Sequence, residues 1–409
     1  MGVSIHPGDA LSRRSRSLYV IVLGALTLLE SFTIDLYLPA FPLIEQEFQS
    51  DPALVQLTLT ATIAGFSVGQ ILVGPWSDRI GRRVPLVCAT VMHVAASLGI
   101  ALAPTIDVLI VLRFFQGAGA SAGAVVALAL VRDLFGGRPL VRILSRIALL
   151  SGLGPVAAPI VGAQLLEILP WRGMFAWLAV WGLLVGVAIT VLITETLPPE
   201  RRSTHRVRQI WRIYAPLLRD RVYVGVVLIN ALTFSGLLVY VSSSSFLIQG
   251  AFGFTAQQFG LTFAANSIAV MAGVQVSSLI ARRLGPQWIL AFSTAGLLAA
   301  ACAISASGLL RSDPPVTLIA IWVFVLACGF TWPCTSVLSL AQHGSRAGTA
   351  ASLAGAATFA LGSLVASGAT VIGATSATSM GAFMAATSLA AVLVLWIVVR
   401  PSTVPALVD

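Results

Sequence analysis

Three ionisable side chains stand inside long apolar runs of this 409-residue chain: Glu30, Asp35 and Arg113. A charge in hydrocarbon is costly, and such residues are usually functional: they bind an ion, relay a proton or meet a counter-charge. Two carboxylates and a guanidinium can do proton chemistry, because a carboxylate's proton affinity depends on a neighbouring cation and on water access. Asp35 lies about five residues, or about 8 Å, from the end of its run, and Arg113 about 6 Å from the start of its own. In antiparallel helices the two reach a similar depth. That match admits a proton-exchanging pair or an ion pair that only locks two helices. Glu30 is about 15 Å from the same end and about 140° round the helix from Asp35. It is either a second proton or cation site, or a buried neutral acid with a structural hydrogen bond.

From Val222 onward the only carboxylates are Asp313 and Asp409. Proton handling by a carboxylate therefore falls to the first half. The second half offers neutral substrate contacts, with Asn230, Tyr240, Asn266, Gln275, Phe330 and Trp332 as candidates, each of which also fits simple packing. Tyr37 and Gln116 are the first-half candidates for substrate binding. The cysteines, Cys88, Cys302, Cys328 and Cys334, lie in apolar runs, and His6, His93, His205 and His343 are scattered, so no metal site is expected. No GxxxxGK[ST] loop is present, which argues against ATP-driven chemistry. No catalytic residues or cofactor are expected.

The elements that hold these residues are membrane helices. Apolar residues make up 57% of the chain and charged residues 10%, with a mean hydropathy of +0.95. A soluble domain carries roughly 25% charged residues. Runs of about 20 apolar residues predict six helices at Leu18–Ala40, Leu54–Gly74, Val84–Ala103, Leu109–Leu130, Ile143–Leu166 and Met174–Ile193. Six more follow at Val222–Ser244, Ala256–Ile280, Trp288–Gly308, Val316–Leu338, Thr349–Ile372 and Met380–Val399. The expected plan is an all-α membrane protein of twelve transmembrane helices. Residues 1–193 form an N-terminal bundle, 194–221 a basic cytoplasmic linker and 222–409 a C-terminal bundle, with a substrate site between bundles near mid-membrane. The linker serves either as an amphipathic segment on anionic lipids or as a tether that anchors topology.

The formal net charge is +9, and all 24 basic residues are arginine. With both termini in the cytoplasm, only Arg172 and Arg311 fall outside and Arg113 stands deep within a helix, leaving 21 inside, among them Arg146 at the inner end of its helix. This is the positive-inside pattern, so the excess of positive charge reads as topology rather than nucleic-acid binding.

Three motifs complete the reading. The second-to-third helix loop runs Gly74-Pro-Trp-Ser-Asp78-Arg79-Ile-Gly81-Arg82-Arg83, with Asp78 placed to cap or pair at the next helix. The fourth helix opens Arg113-Phe-Phe-Gln116-Gly117-Ala-Gly119-Ala-Ser-Ala-Gly123, and the fifth contains Gly152-Leu-Gly154-Pro155-Val-Ala-Ala-Pro159-Ile-Val-Gly162. Small residues at such spacing allow close helix contact, and proline bends a helix. The motifs resemble the signatures of the major facilitator superfamily, and the fifth-helix pattern resembles the antiporter motif of its drug exporters. Ile34-Asp35-Leu-Tyr37-Leu-Pro39 resembles the first helix of the Bcr/CflA subfamily, which includes chloramphenicol and florfenicol exporters.

The resemblance implies the superfamily fold, in the bacterial inner membrane, and proton-coupled efflux of small amphipathic drugs such as phenicols. Asp35 and Arg113 take the coupling positions. A gating latch falls on Gly74, Asp78, Arg79, Gly81, Arg82 and Arg83, with Gly154, Pro155 and Pro159 shaping the fifth helix. Glu30 departs from the subfamily's first helix, which leaves stoichiometry and cation preference open. The expected partners are a drug, protons and membrane lipids, with the chain a monomer. A dedicated exporter of one endogenous metabolite or antibiotic, or a broad multidrug exporter that takes cations, fits the same motifs.

Overall fold

Caps and prolines punctuate the helices. The Thr105 and Asp220 side chains accept from the first free N–H groups of their helices, and Thr255 and Ser376 form capping boxes with Gln258 and Ser379. In a computed structural model, which describes residues 12–202, 215–340, 347–373 and 375–403, these signals yield helices and, among the described residues, no strand. His6, His205, His343 and the middle of the linker, 203–214, lie outside the described residues.

The first unit contains α1 (Arg13–Asp35), α4 (Arg83–Ala101), α5 (Ile106–Leu134), α6 (Gly137–Ile168), α7 (Trp171–Leu192) and most of α3 (Pro52–Ile80). The second contains α8 (Arg221–Ser245), α9 (Ala256–Leu284), α10 (Pro286–Leu309), α11 (Pro314–Leu340), α12 (Ala347–Val371) and α13 (Ala377–Val394). Residues 41–60, which include the short helix α2 (Phe41–Phe48), group with this second unit. Among the described residues 12 helices are long and apolar enough to cross a membrane.

Within the first unit α1 packs on α5, α6 and α7, and α4 on α5 and α7. Within the second, α8 packs on α11, α12 and α13, and α10 on α11 and α13, which repeats the same pairing order. Both units use glycine for one close crossing. A Cβ on Gly65 or Gly117 would overlap backbone across α3 and α5, and one on Gly273 or Gly329 would do so across α9 and α11. Backbones can approach this closely only without side chains between them. The outer faces are apolar, with Leu102 81% and Val371 84% exposed, as surfaces solvated by lipid require.

Two expectations need correction. The first predicted helix does not run unbroken to Ala40: α1 stops at Asp35, a 3-10 turn covers Leu38–Ala40, and the chain restarts as α2. Pro39 lacks the N–H that would bond the Asp35 carbonyl, so the α-helical ladder ends there. Asp35 is therefore the last residue of its helix. The predicted loop from Gly74 is also mostly helix, because α3 runs on through Pro75 and Asp78 to Ile80. The reversal falls on Gly81, whose φ of +110° favours glycine.

Candidate functional site

The end of α1 creates a need for hydrogen-bond donors, since the last carbonyls of a helix have no partner within it. Arg113 of α5 answers one of them. Its Nη1 donates to the Thr33 carbonyl oxygen at 2.9 Å and also to Gln116 Oε1. The guanidinium carbon lies 4.0 Å from the centroid of the Tyr37 ring and 5.6 Å from that of Phe175. Arg113, Tyr37 and Gln116 are fully buried. A cation over aromatic faces at a helix C-terminus is favoured on both counts.

Polar contacts continue into α4. Gln116 Nε2 donates to Ser97 Oγ at 2.8 Å, and Ser97 Oγ donates to the His93 carbonyl at 2.7 Å. His93 Nε2 lies 2.9 Å from Thr33 Oγ1, which also bonds the Leu29 carbonyl at 2.6 Å. Thr33, His93 and Ser97 are buried as well. Sequence reading placed Arg113, Gln116 and Tyr37 but passed over these three. The available signal was a histidine, with a serine four residues on, inside a run that must cross hydrocarbon.

Asp35 is 7% exposed, and among the described residues it forms no ion pair with Arg113, whose bonds go to neutral groups. Glu30 is half-buried, five residues earlier on α1. The fifth-helix motif meets α1 beside both acids. A Cβ on Gly154 would overlap the Ser31 side chain, and one on Gly162 the Leu36 carbonyl oxygen. Pro155 and Pro159 lie inside α6 between these two contacts.

At the other end of α3, Arg82 is the hub of the basic motif. Its side chain donates to Asp78 and Ser77 of α3 and to Asp133 Oδ2 of α5, the last two both at 3.0 Å. Its backbone N–H donates to Glu195 Oε1 at 2.9 Å, and that of Arg83 to Glu195 Oε2 at 3.2 Å. Asp78 therefore pairs with Arg82 but does not cap α4; the carboxylate at that helix start is Glu195, from 113 residues away. A Cβ on Gly81 would overlap it. Arg83 also reaches the Thr190 carbonyl, Arg79 is exposed, and Gly74 has room for a methyl group.

The charges here follow from those contacts. Desolvation opposes the Arg82 cation, but the hydrogen bonds and charges of Asp78 and Asp133 outweigh it and hold its pKa above the ordinary arginine value. Partial burial works to raise the Glu195 pKa. Four backbone N–H groups, those of Arg82, Leu197, Arg83 and Thr196, outweigh it, and the carboxyl sits below the usual range.

In the second unit the neutral candidates separate. Asn230 Nδ2 donates to Thr358 Oγ1 at 2.8 Å and its Oδ1 accepts from Thr335 at 3.1 Å, which joins α8, α11 and α12. Asn266 Nδ2 donates to the Tyr240 hydroxyl at 2.7 Å, and the Tyr240 ring stacks on Phe263. Phe330 and Trp332 are half-buried on α11. An apolar groove of about 420 Å³, lined by Phe32, Val161, Trp177, Val180, Trp181 and Leu184, includes none of the residues singled out from sequence.

Comparison with known proteins adds a family. The description Major Facilitator Superfamily matches residues 23–369. An uncharacterized MFS-type transporter of Bacillus subtilis (strain 168) is 32% identical, over 92% of this chain and 94% of the relative. A bicyclomycin resistance protein homolog of Haemophilus influenzae is 28% identical over 87% and 89%. A chloramphenicol resistance protein of Pseudomonas aeruginosa is 29% identical over 71% and 68%. Among solved structures, a partially occluded inward-open form of the xylose transporter XylE from E. coli superposes with a TM-score of 0.74, at 15% identity over 96% of this chain and 98% of that one. That likeness shows the fold.

Proposed function

This chain belongs to the Major Facilitator Superfamily and is a multi-pass inner-membrane transporter rather than an enzyme, and from that premise we propose that it exports small amphipathic drugs in exchange for protons. Relatives named for bicyclomycin and chloramphenicol resistance support drug efflux as the general activity. Phenicols are the finer substrate proposal, and a broad multidrug pump is the second reading, favoured by the additional half-buried acid Glu30. No cofactor is needed, because the proton gradient supplies the drive.

One observation carries the coupling assignment: Arg113 is held through Nη1 by the Thr33 carbonyl and Gln116 and lies over the Tyr37 ring, so Asp35 is buried beside it without being locked in an ion pair. A carboxyl so placed can gain and lose a proton as water reaches it. Binding of drug and proton then compete through the local charge at the end of α1. Drug enters from the cytoplasmic side, and protonation from outside drives its release by alternating access. The Arg82 hub and the α6 glycines let helices make and break contact without losing their partners' registration.

The test is growth of a pump-deficient bacterium on chloramphenicol, florfenicol and cationic dyes, with wild type against D35N. Resistance to phenicols alone that D35N loses supports the narrow exporter. Resistance extending to dyes, reduced by Glu30→Gln, supports the multidrug reading. Undiminished resistance in D35N contradicts the coupling role of Asp35.

A further inference from the structure

His93 is a buried titratable group that the proposed cycle does not use, and its hydrogen bonds can be given directions. Thr33 has one hydroxyl hydrogen. At 2.6 Å from the Leu29 carbonyl it is spent there, because two oxygens so close need a hydrogen between them. Thr33 Oγ1 must then accept from His93, which places the imidazole hydrogen on Nε2. The opposite tautomer would leave a buried Nδ1–H facing no acceptor, since Nδ1 has no partner among the described residues. Ser97 is fixed in the same way. Its hydrogen goes to the His93 carbonyl, so it accepts from Gln116, and Gln116 accepts from Arg113. Every donor in the circuit points away from the guanidinium or away from the imidazole.

The circuit closes on one residue. His93 holds the Thr33 side chain through Nε2–H and receives Ser97 at its own carbonyl, while the Thr33 carbonyl receives Arg113. Both anchors of the guanidinium, Thr33 and Gln116, thus lead back to His93. The ring itself is clamped: a Cβ on Gly182 of α7 would come 3.1 Å from Nδ1, and one on Gly119 of α5 would come 2.7 Å from the His93 backbone nitrogen. Arg113 on α5 is the charge that faces His93. Towards it α1 presents Thr33, with Glu30 and Tyr37 one turn to either side and Asp35 further round. The α7 face against it is Gly182, which has no ionisable group, and Arg172 at the far end of α7 bonds the Ala103 carbonyl at 2.8 Å.

We propose that His93 is the positioning residue of the coupling site: as the neutral Nε2–H tautomer it fixes Thr33 and Ser97, and through them holds Arg113 off Asp35. This rests on the coupling role assigned to Asp35 above. Without the Nε2–H, the Thr33 side chain loses its tertiary tether and the guanidinium is free to swing towards the carboxylate.

The experiment is proton-driven drug transport in proteoliposomes as a function of pH, for wild type, D35N, His93→Ala and His93→Gln. Glutamine reaches as far as Nε2 and offers an N–H there. H93A is expected to move the pH midpoint towards acid by about half a unit or more, because a nearer guanidinium favours the charged carboxylate. H93Q is expected to stay at the wild-type midpoint. An unmoved midpoint in H93A overturns the proposal, as does an equal shift in both variants. If H93A does not reach the membrane, Thr33→Val carries the test, with the same shift expected and a wild-type midpoint overturning it. Gradient-driven transport in D35N would instead overturn the Asp35 assignment, so the two failures are distinguishable.

Discussion

At the residue scale the site turns on how Arg113 is held. Its Nη1 serves two acceptors, the Thr33 carbonyl and Gln116. Lysine ends one bond short of Nη1 and has no planar face to lay over the Tyr37 ring. Arg113→Lys should forfeit a charge-assisted bond of about 1.5–3 kcal/mol and slow transport by about tenfold or more, read as initial efflux rate at equal expression. Glu195 gives a second residue-level prediction. Its folded pKa lies below the ordinary carboxylate value, so its stabilising contribution is full above that value and is lost as pH falls through the folded one. Thermal unfolding of the purified protein should show wild type losing its advantage over Glu195→Gln as the pH drops below about 4. A constant difference across that range would contradict the assignment. Glu195 was not legible as a site residue in the sequence, because it acts on groups 113 residues away; His93 stood out as a histidine in an apolar run, but nothing in the sequence named its partner 60 residues away.

At the element scale, the glycines sort by what a methyl group would strike. At Gly162 it meets the Leu36 carbonyl, backbone that cannot move without shifting the end of α1 beside Asp35. Gly162→Ala should cost about 1–3 kcal/mol as overpacking and impair transport. At Gly74 the nearest atom is Val125 Cγ1 at 3.7 Å, an ordinary contact. Gly74→Ala should be neutral or stabilising by up to about 1 kcal/mol, measured as the melting temperature in detergent. Helix positions were readable from hydropathy because crossing hydrocarbon demands about 20 apolar residues in a row. The end of α1 was not, since Leu36 to Ala40 stay apolar while Pro39 breaks the ladder. The continuation of α3 past Gly74 was missed for the converse reason: glycine, proline and charge there read as a loop, yet Arg82 draws the last turn in by bonding Ser77 and Asp78. Asp35, Arg113 and Gln116 were legible because polar groups in an apolar run stand out. Asn230 was legible for the same reason, but its amide is engaged by Thr335 and Thr358.

At the scale of the whole molecule, loop arginines hold membrane helices in one orientation. The arginine distribution predicts that Ser312, beside Arg311, faces outside and that Arg283 faces the cytoplasm. In a variant free of the native cysteines, Ser312→Cys should react with an impermeant maleimide in whole cells and Arg283→Cys only after the membrane is opened. The central claim is that a proton on Asp35 drives export. The most direct measurement loads proteoliposomes with a drug identified by the growth panel and compares two reactions in wild type and D35N: accumulation against a gradient driven by pH, and simple exchange of labelled for unlabelled drug. The account predicts that D35N keeps exchange and loses accumulation. Accumulation by D35N at the wild-type level would contradict it.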